Sequence, residues 1–310
     1  MPSRYAFALM NDVKYGAIVA VVGAILVSAS PAIGQERIYW VNNPADTISF
    51  ANLDGSGGGG QFSAAGATAK GPFGLALDPA AGKIYWTNNG NNTISFANLD
   101  GSGGGQLSTL GATVSAPAGL AIDPVAGKIY WANLGGDTVA FARLDGTGGG
   151  QLVTTGATVA SARGMAIDRA AGRLYWVNGN NTIGFANLDG TGGGGQLSTT
   201  GATMSGPAGA AIDPVGGRIY WTNENDNTIS FANLDGSGGG GQLSTTGATP
   251  AGPFGVAVDP VAGRIYWANN ANSTISFANL DGSGGGGQLS TSGASPSGDR
   301  KSTRLNSSHT

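Results

Sequence analysis

Apolar and polar positions alternate along this chain in short runs, and the runs recur. From Gly74, the aliphatics Leu75 and Leu77 flank small Ala76; a little further on, Ile84 and Trp86 fall on one side of an extended chain and Tyr85 on the other. This alternation, bounded by Gly, Pro, Asn and Asp, predicts four strands per unit. In this copy they are Gly74–Asp78, Lys83–Thr87, Thr93–Leu99 and a last strand starting at Gln106. Pro79-Ala80-Ala81-Gly82 turns the chain between the first two, Asn88–Asn92 loops between the next, and Asp100-Gly101 opens the last hairpin. No segment shows helical periodicity and no connection is long enough for a crossover helix, so the strands are expected to pair as antiparallel meanders.

The unit repeats. Tyr-Trp occurs at Tyr39-Trp40, Tyr85-Trp86, Tyr130-Trp131, Tyr175-Trp176, Tyr220-Trp221 and Tyr266-Trp267, spaced by 46, 45, 45, 45 and 46 residues. Every tryptophan of the chain holds that position. Four-stranded meanders at a period near 45 residues are propeller blades, with the units starting near residues 37, 83, 128, 173, 218 and 264. Twisted sheets stacked side by side need large flat side chains between them, and burying one indole contributes up to ~4–6 kcal/mol from its apolar area.

Six Tyr-Trp segments are matched by only five first strands, which end in Asp78, Asp123, Asp168, Asp213 and Asp259. A sixth would begin just after Ser297, but there the chain changes to a basic, repeat-free DRKSTRLNSSHT that looks like translated adaptor sequence. The expected fold is therefore all-β, a six-bladed propeller of four-stranded antiparallel blades with one blade lacking its inner strand. It is assigned to residues 36–297, with 298–310 set aside as a non-native or disordered tail.

Residues 1–35 differ from the rest. Arg4 and Lys14 precede an apolar run from about Ala17 to Val27, followed by small residues through Gly34, which is a secretory signal layout. The run is too short for a comfortable membrane span. The expectation is a secreted, periplasmic or cell-surface protein with no stable membrane span after cleavage.

Composition narrows the function classes. Charged residues are 11% of the chain and the net charge is −3, so no basic patch is available for nucleic acid. The 57 glycines sit at fixed places in each unit, which is turn chemistry rather than disorder. There is no cysteine, and the one histidine, His309, lies in the tail, so no metal, cofactor or acid-base constellation is expected. The glycine-rich LDGSGGGG hairpins precede no helix and cannot form a phosphate loop.

The repeated Ile/Leu-Tyr-Trp-x-Asn, the Ala-Asn-Leu-Asp-Gly about ten residues on, and the Pro-x-Gly-x-Ala-x-Asp-Pro near the next unit resemble the YWTD repeats of low-density-lipoprotein-receptor class B propellers. The resemblance covers about residues 37–295 and implies six blades and protein ligands. One departure is consistent: Asn42, Asn88, Asn133, Asn178, Asn223 and Asn269 stand where that family has Asp. Asparagine keeps an acceptor and adds donors, so a hydrogen-bonding role survives and a cation role does not. Streptogramin lyases are also propellers, but their elimination chemistry depends on histidine.

Candidate functional residues follow from where the units differ. The turn aspartates Asp78, Asp123, Asp168, Asp213 and Asp259, and Asp54, Asp100, Asp145, Asp189, Asp235 and Asp281 at the other hairpins, recur as structural residues. Lys83, Lys128, Arg173, Arg218 and Arg264 follow the first set around the ring. On the opposite face, just before the glycine of each first strand, stand Phe73, Ala118, Arg163, Ala208 and Phe254, and the loops add Asn91, Asn92, Glu224 and Asp226. Two aromatics and an arginine on a mixed rim have the composition of an interaction hot spot. The expected function is a non-catalytic scaffold binding a protein or glycan through that face. The alternatives are a propeller lyase or hydrolase whose catalytic residues are missing from this fragment, and a purely structural surface or adhesion protein.

Overall fold

The computed structural model describes residues 20–22, 36–43, 45–56 and 58–294. Apart from Ala20–Val22, the expected signal segment lies outside the described residues, as does the tail 298–310. The described chain forms six four-stranded antiparallel sheets. Blade 1 holds β1 Ala20–Val22, β2 Arg37–Asn43, β3 Thr47–Asn52 and β4 Gly60–Phe62; blade 2 holds β5 Pro72–Asp78, β6 Lys83–Asn88, β7 Thr93–Asn98 and β8 Gly105–Gln106. Blade 3 holds β9 Pro117–Asp123, β10 Lys128–Asn133, β11 Thr138–Arg143 and β12 Gly149–Gln151; blade 4 holds β13 Met165–Asp168, β14 Arg173–Asn178, β15 Thr182–Asn187 and β16 Gly195–Gln196. Blade 5 holds β17 Pro207–Asp213, β18 Arg218–Asn223, β19 Thr228–Asn233 and β20 Gly241–Gln242; blade 6 holds β21 Pro253–Asp259, β22 Arg264–Asn269, β23 Thr274–Asn279 and β24 Gly287–Leu289.

The first strands touch one another in turn, β1 to β5, β9, β13, β17, β21 and back to β1, so the six sheets close into a ring. The fold is the expected six-bladed propeller. One detail is corrected: no blade lacks its inner strand, because Ala20–Val22 pairs antiparallel with β2. An apolar, β-branched run suits a strand edge that would otherwise leave its backbone groups unpaired, and by periodicity alone such a run reads equally as the core of a signal segment.

The Tyr-Trp dipeptide sets the packing. Neighbouring residues on a strand point to opposite faces, so the tryptophan of each blade faces the preceding blade and the tyrosine the following one. Trp86 meets Tyr39, Trp131 meets Tyr85, Trp176 meets Tyr130, Trp221 meets Tyr175, Trp267 meets Tyr220, and Trp40 meets Tyr266 across the closing seam. All six indoles are at most 1% exposed. Near the axis the backbones approach so closely that a Cβ on Gly74 or Gly209 would stand 2.5 Å from the carbonyl oxygen of Ala118 or Phe254, which leaves room only for glycine.

Behind each indole a buried asparagine ties its blade together. In blade 5, Asn223 Oδ1 accepts from the Ser205 amide at 2.9 Å, while Nδ2 donates to Thr228 Oγ1, Ser230 Oγ and the Thr203 carbonyl at 3.0, 2.9 and 3.2 Å. The Thr203 carbonyl also accepts from Trp221 Nε1 at 3.0 Å. Asn133 and Asn178 make the same kinds of contact to their own connectors and strands. A carboxylate could not donate, which explains why asparagine holds this place. At the outer rim, the Gly59 amide donates to the Ser292 carbonyl at 3.2 Å, repeating across the seam the bond that Gly194 makes to Thr155 within the array.

Asn223→Asp should lower stability by about 3–5 kcal/mol, the cost of a buried charge with orphaned partners. A chemical-denaturation midpoint within error of the parent's would show that the donors are dispensable.

Candidate functional site

The two faces of the disc differ in kind. On the face carrying the β5–β6 and β7–β8 turns and their counterparts, the same contacts recur. Asp78, Asp123, Asp168, Asp213 and Asp259 each accept backbone amides of their own turn at 3.0–3.2 Å. Arg37, Lys83, Lys128, Arg173, Arg218 and Arg264 each lie over the phenylalanine of the third strand, 4.4–5.1 Å from the ring centroid. Hydroxyl and amide donors from Ser56, Ser102, Thr147, Ser237 and Ser283 hold Asp54, Asp100, Asp145, Asp235 and Asp281 below the usual carboxylate range; at Asp189 the Thr191 amide and then its hydroxyl do the same. Burial pushes Tyr85 up to about 12 with help from Asp78, and raises Tyr39, Tyr130, Tyr175, Tyr220 and Tyr266 in the same direction.

The opposite face is built from the loops between second and third strands and the connectors that enter each first strand. Its geometry is a set of clasps. Asp46, Asn92, Asp137, Asn181 and Asn227 take positive φ angles of 55°, 57°, 47°, 62° and 54°, a conformation these short polar side chains tolerate. From it each accepts a backbone amide at the entrance to the next blade: Gly71, Ala116, Ser161, Gly206 and Gly252, at 2.6–3.1 Å. Ser273 holds the sixth position with φ 56°. Lys70 adds an exposed ion pair to Asp46 at 2.6 Å.

Most of the sequence-predicted rim residues are already engaged within the molecule. Asn92 is one of the clasps, Asn91 Oδ1 accepts from Thr93 Oγ1 at 2.8 Å, and Asp226 accepts from Ser205 Oγ at 2.8 Å. The two aromatics are buried. Phe73 and Phe254 are 2% and 1% exposed and converge with Ala118 and Ala208 in one apolar cluster, against which Leu134 packs. These four come from blades 2, 3, 5 and 6, so the cluster joins residues of blades that are not all neighbours. A ring about an axis would otherwise leave apolar edges in contact with water, and the largest side chains available at this position fill the gap.

Arg163 and Glu224 break the regularity. Arg163 stands where the first strands of blades 2, 3, 5 and 6 carry Phe or Ala, and Ala162 takes the place of their proline; the Arg163 amide donates to the Val177 carbonyl at 2.9 Å. Its guanidinium reaches Glu224 of blade 5, Nη1 to Oε2 3.9 Å, with the side chains 15% and 31% exposed. The mouth is thus apolar over most of its circumference and ionic between blades 4 and 5. Sequence reading found both partners but not their pairing, since they lie on different blades. Among the described residues no three His, Cys, Asp or Glu side chains are grouped to hold a metal ion, and no helix is long and apolar enough to cross a membrane.

Residues 82–124 match the family model of the low-density lipoprotein receptor repeat class B. That stretch is one unit of the six, and the others repeat its Tyr-Trp signature in register. No curated protein matches the chain. Among solved structures, a chain of the nidogen/laminin complex is 20% identical with a TM-score of 0.56, covering 76% of this chain and 90% of its own. A gluconolactonase from Xanthomonas campestris is 16% identical with a TM-score of 0.61, covering 87% and 96%. A chain of Kuenenia stuttgartiensis hydrazine synthase is 14% identical with a TM-score of 0.59, covering 80% and 74%. At these identities the likeness is one of fold, and with 775 solved chains matching, the fold by itself assigns no chemistry.

Two titrations follow. A tyrosine whose pKa is raised on folding stabilises the fold fully below the unfolded value near 10 and less as pH climbs through the folded value. Melting temperature should therefore fall steadily above pH 10, and tyrosine ionisation by absorbance should lag until unfolding; free ionisation of all tyrosines near pH 10 in the folded chain would contradict this. For the hairpin carboxylates the sign is opposite: their contribution is present above the unfolded value of 3.8 and is lost as pH drops through the folded one. Ser102→Ala should move the Asp100 carboxyl resonance midpoint upward, leaving Asp145 unchanged.

Proposed function

We propose that this protein is an exported, non-catalytic propeller that binds a protein partner through the loop-and-clasp face, with the Arg163–Glu224 pair at the edge of its contact surface. The observation that carries this reading is the asymmetry of the disc. One face repeats the same turns, cation–aromatic contacts and capped aspartates in blade after blade. The other varies from blade to blade, with Asn89, Leu134, Gly179, Glu224 and Asn270 at equivalent loop positions. A surface with a rigid frame and variable loops is where recognition is placed in most folds. The class B repeat and the fold likeness to a chain from a complex of two proteins support the same reading. The basic-then-apolar layout of residues 1–35 supports export to a secreted, periplasmic or cell-surface location, with Ala20–Val22 retained as β1.

A second reading, a propeller hydrolase, is favoured by the likeness to the gluconolactonase. Its reaction would need a nucleophile and acid-base groups at the channel mouth.

The two readings separate in one experiment. The purified chain is cross-linked to extracellular protein fractions, the captured partner is identified, and its affinity is measured against variants of each face; lactone hydrolysis is assayed in parallel. Glu224→Arg should weaken binding at least tenfold, roughly 1.4 kcal/mol, while Lys83→Glu on the regular face leaves it within twofold. Loss with Lys83→Glu alone would put the partner on the wrong face, and lactone turnover abolished by Glu224→Arg would favour the hydrolase.

A further inference from the structure

The loops between second and third strands carry one motif that the packing does not call for. Asn91-Asn92-Thr93 of blade 2, Asn180-Asn181-Thr182 of blade 4 and Asn272-Ser273-Thr274 of blade 6 each read Asn-x-Thr with no proline in the middle, the acceptor triplet for N-linked glycans. Among the described residues there is no other such triplet; a further Asn-x-Ser, at Asn306, lies outside them. In all three the asparagine stands two residues before the threonine that opens the third strand, β7, β15 or β23. The corresponding residues of blades 1, 3 and 5 are Ala45, Gly136 and Asp226, so around the ring the motif falls on every second blade.

The threonine has a structural reason to be there, and the asparagine has none. Thr93, Thr182 and Thr274 each accept from the buried asparagine of their own blade, Asn88, Asn178 and Asn269, at 3.0 Å. Thr47, Thr138 and Thr228 do the same in the blades without the motif, so that hydroxyl belongs to the blade itself. Asn91, Asn180 and Asn272 are exposed. Each is held through Oδ1, which accepts from its threonine hydroxyl at 2.8, 2.7 and 2.8 Å. Nδ2, the atom to which a glycan is joined, makes no hydrogen bond among the described residues. Replacing one of its two hydrogens with a sugar therefore breaks no contact of the fold. Adjacent asparagines are sorted by this geometry: Asn92 and Asn181, at φ 57° and 62°, are bound to the Ala116 and Gly206 amides, while Asn91 and Asn180 beside them keep a free amide.

We propose that Asn91, Asn180 and Asn272 are N-glycosylation sites, a proposal that rests on the reading of the chain as exported. In the transfer, Nδ2 of the asparagine attacks the anomeric carbon of an oligosaccharide carried on a lipid diphosphate. The new carbon–nitrogen bond forms as the carbon–oxygen bond to the diphosphate breaks; one amide proton is released and the lipid diphosphate leaves. No oxidant or reductant takes part. The sugars then stand on the loop face at blades 2, 4 and 6. The loops of blades 1, 3 and 5, Glu224 among them, stay uncovered for a protein partner.

The test translates the full chain, carrying Asn306→Gln, in the presence of microsomal membranes that hold the transferase and its lipid-linked donor, with protease protection reporting translocation. The protected chain should carry three additions that a glycan-cleaving amidase removes, and peptide mapping should then find aspartate at 91, 180 and 272. Asn91→Gln, Asn180→Gln and Asn272→Gln should each remove one addition, and the triple variant all of them. Because these side chains are exposed, the circular dichroism of the triple variant should match that of the parent. A chain left outside the membranes contradicts export, not the sites; the same assay on the full chain behind an unrelated secretory signal then decides them. A protected chain without additions at the three positions, in either form, overturns the proposal.

Discussion

Everything in this ring depends on one two-sided contact. Tyrosine and tryptophan are adjacent on the second strand, so one sheet sends its phenol into one neighbour and its indole into the other. Each seam therefore contains a ring from both of the blades it joins, and no blade buries its own apolar surface without two partners. An open repeat array can fray from its ends because end units have one neighbour. Here the first and last blades meet through Trp40 and Tyr266, so every unit is an interior one.

The asparagines turn that packing into a single geometry. Apolar stacking alone would let a twisted sheet slide along its neighbour. Asn223 and its counterparts bind the connector on one side and the third strand on the other, and the indole nitrogen shares the same connector carbonyl. The loop clasps then join each blade to the entrance of the next. Recognition has to be built from what these constraints leave over. That is why the variable face offers few unengaged groups and why its most distinctive feature is an ion pair spanning two blades.

The fold was legible because its signal is periodic and local. Tryptophan spacing, turn residues and the alternation around Ile84, Tyr85 and Trp86 reported blade number, strand order and that the two rings face opposite sides of their sheet. The candidate site was legible only in part. That Asn92 would be spent on the Ala116 amide, or that Phe73 and Phe254 would share one cluster, depends on residues one or more blades away, and no window of a single unit contains that information. The inner strand of blade 1 escaped for a different reason. A short apolar run such as Ala20–Val22 carries no period of its own, so only the partner edge decides what it becomes.

The shared cluster of Phe73, Phe254, Ala118 and Ala208 couples blades that are distant in sequence. Through these residues four of the six blades contribute to one apolar cluster, so an enlargement at any of these positions is felt by several sheets at once and not by its own blade alone.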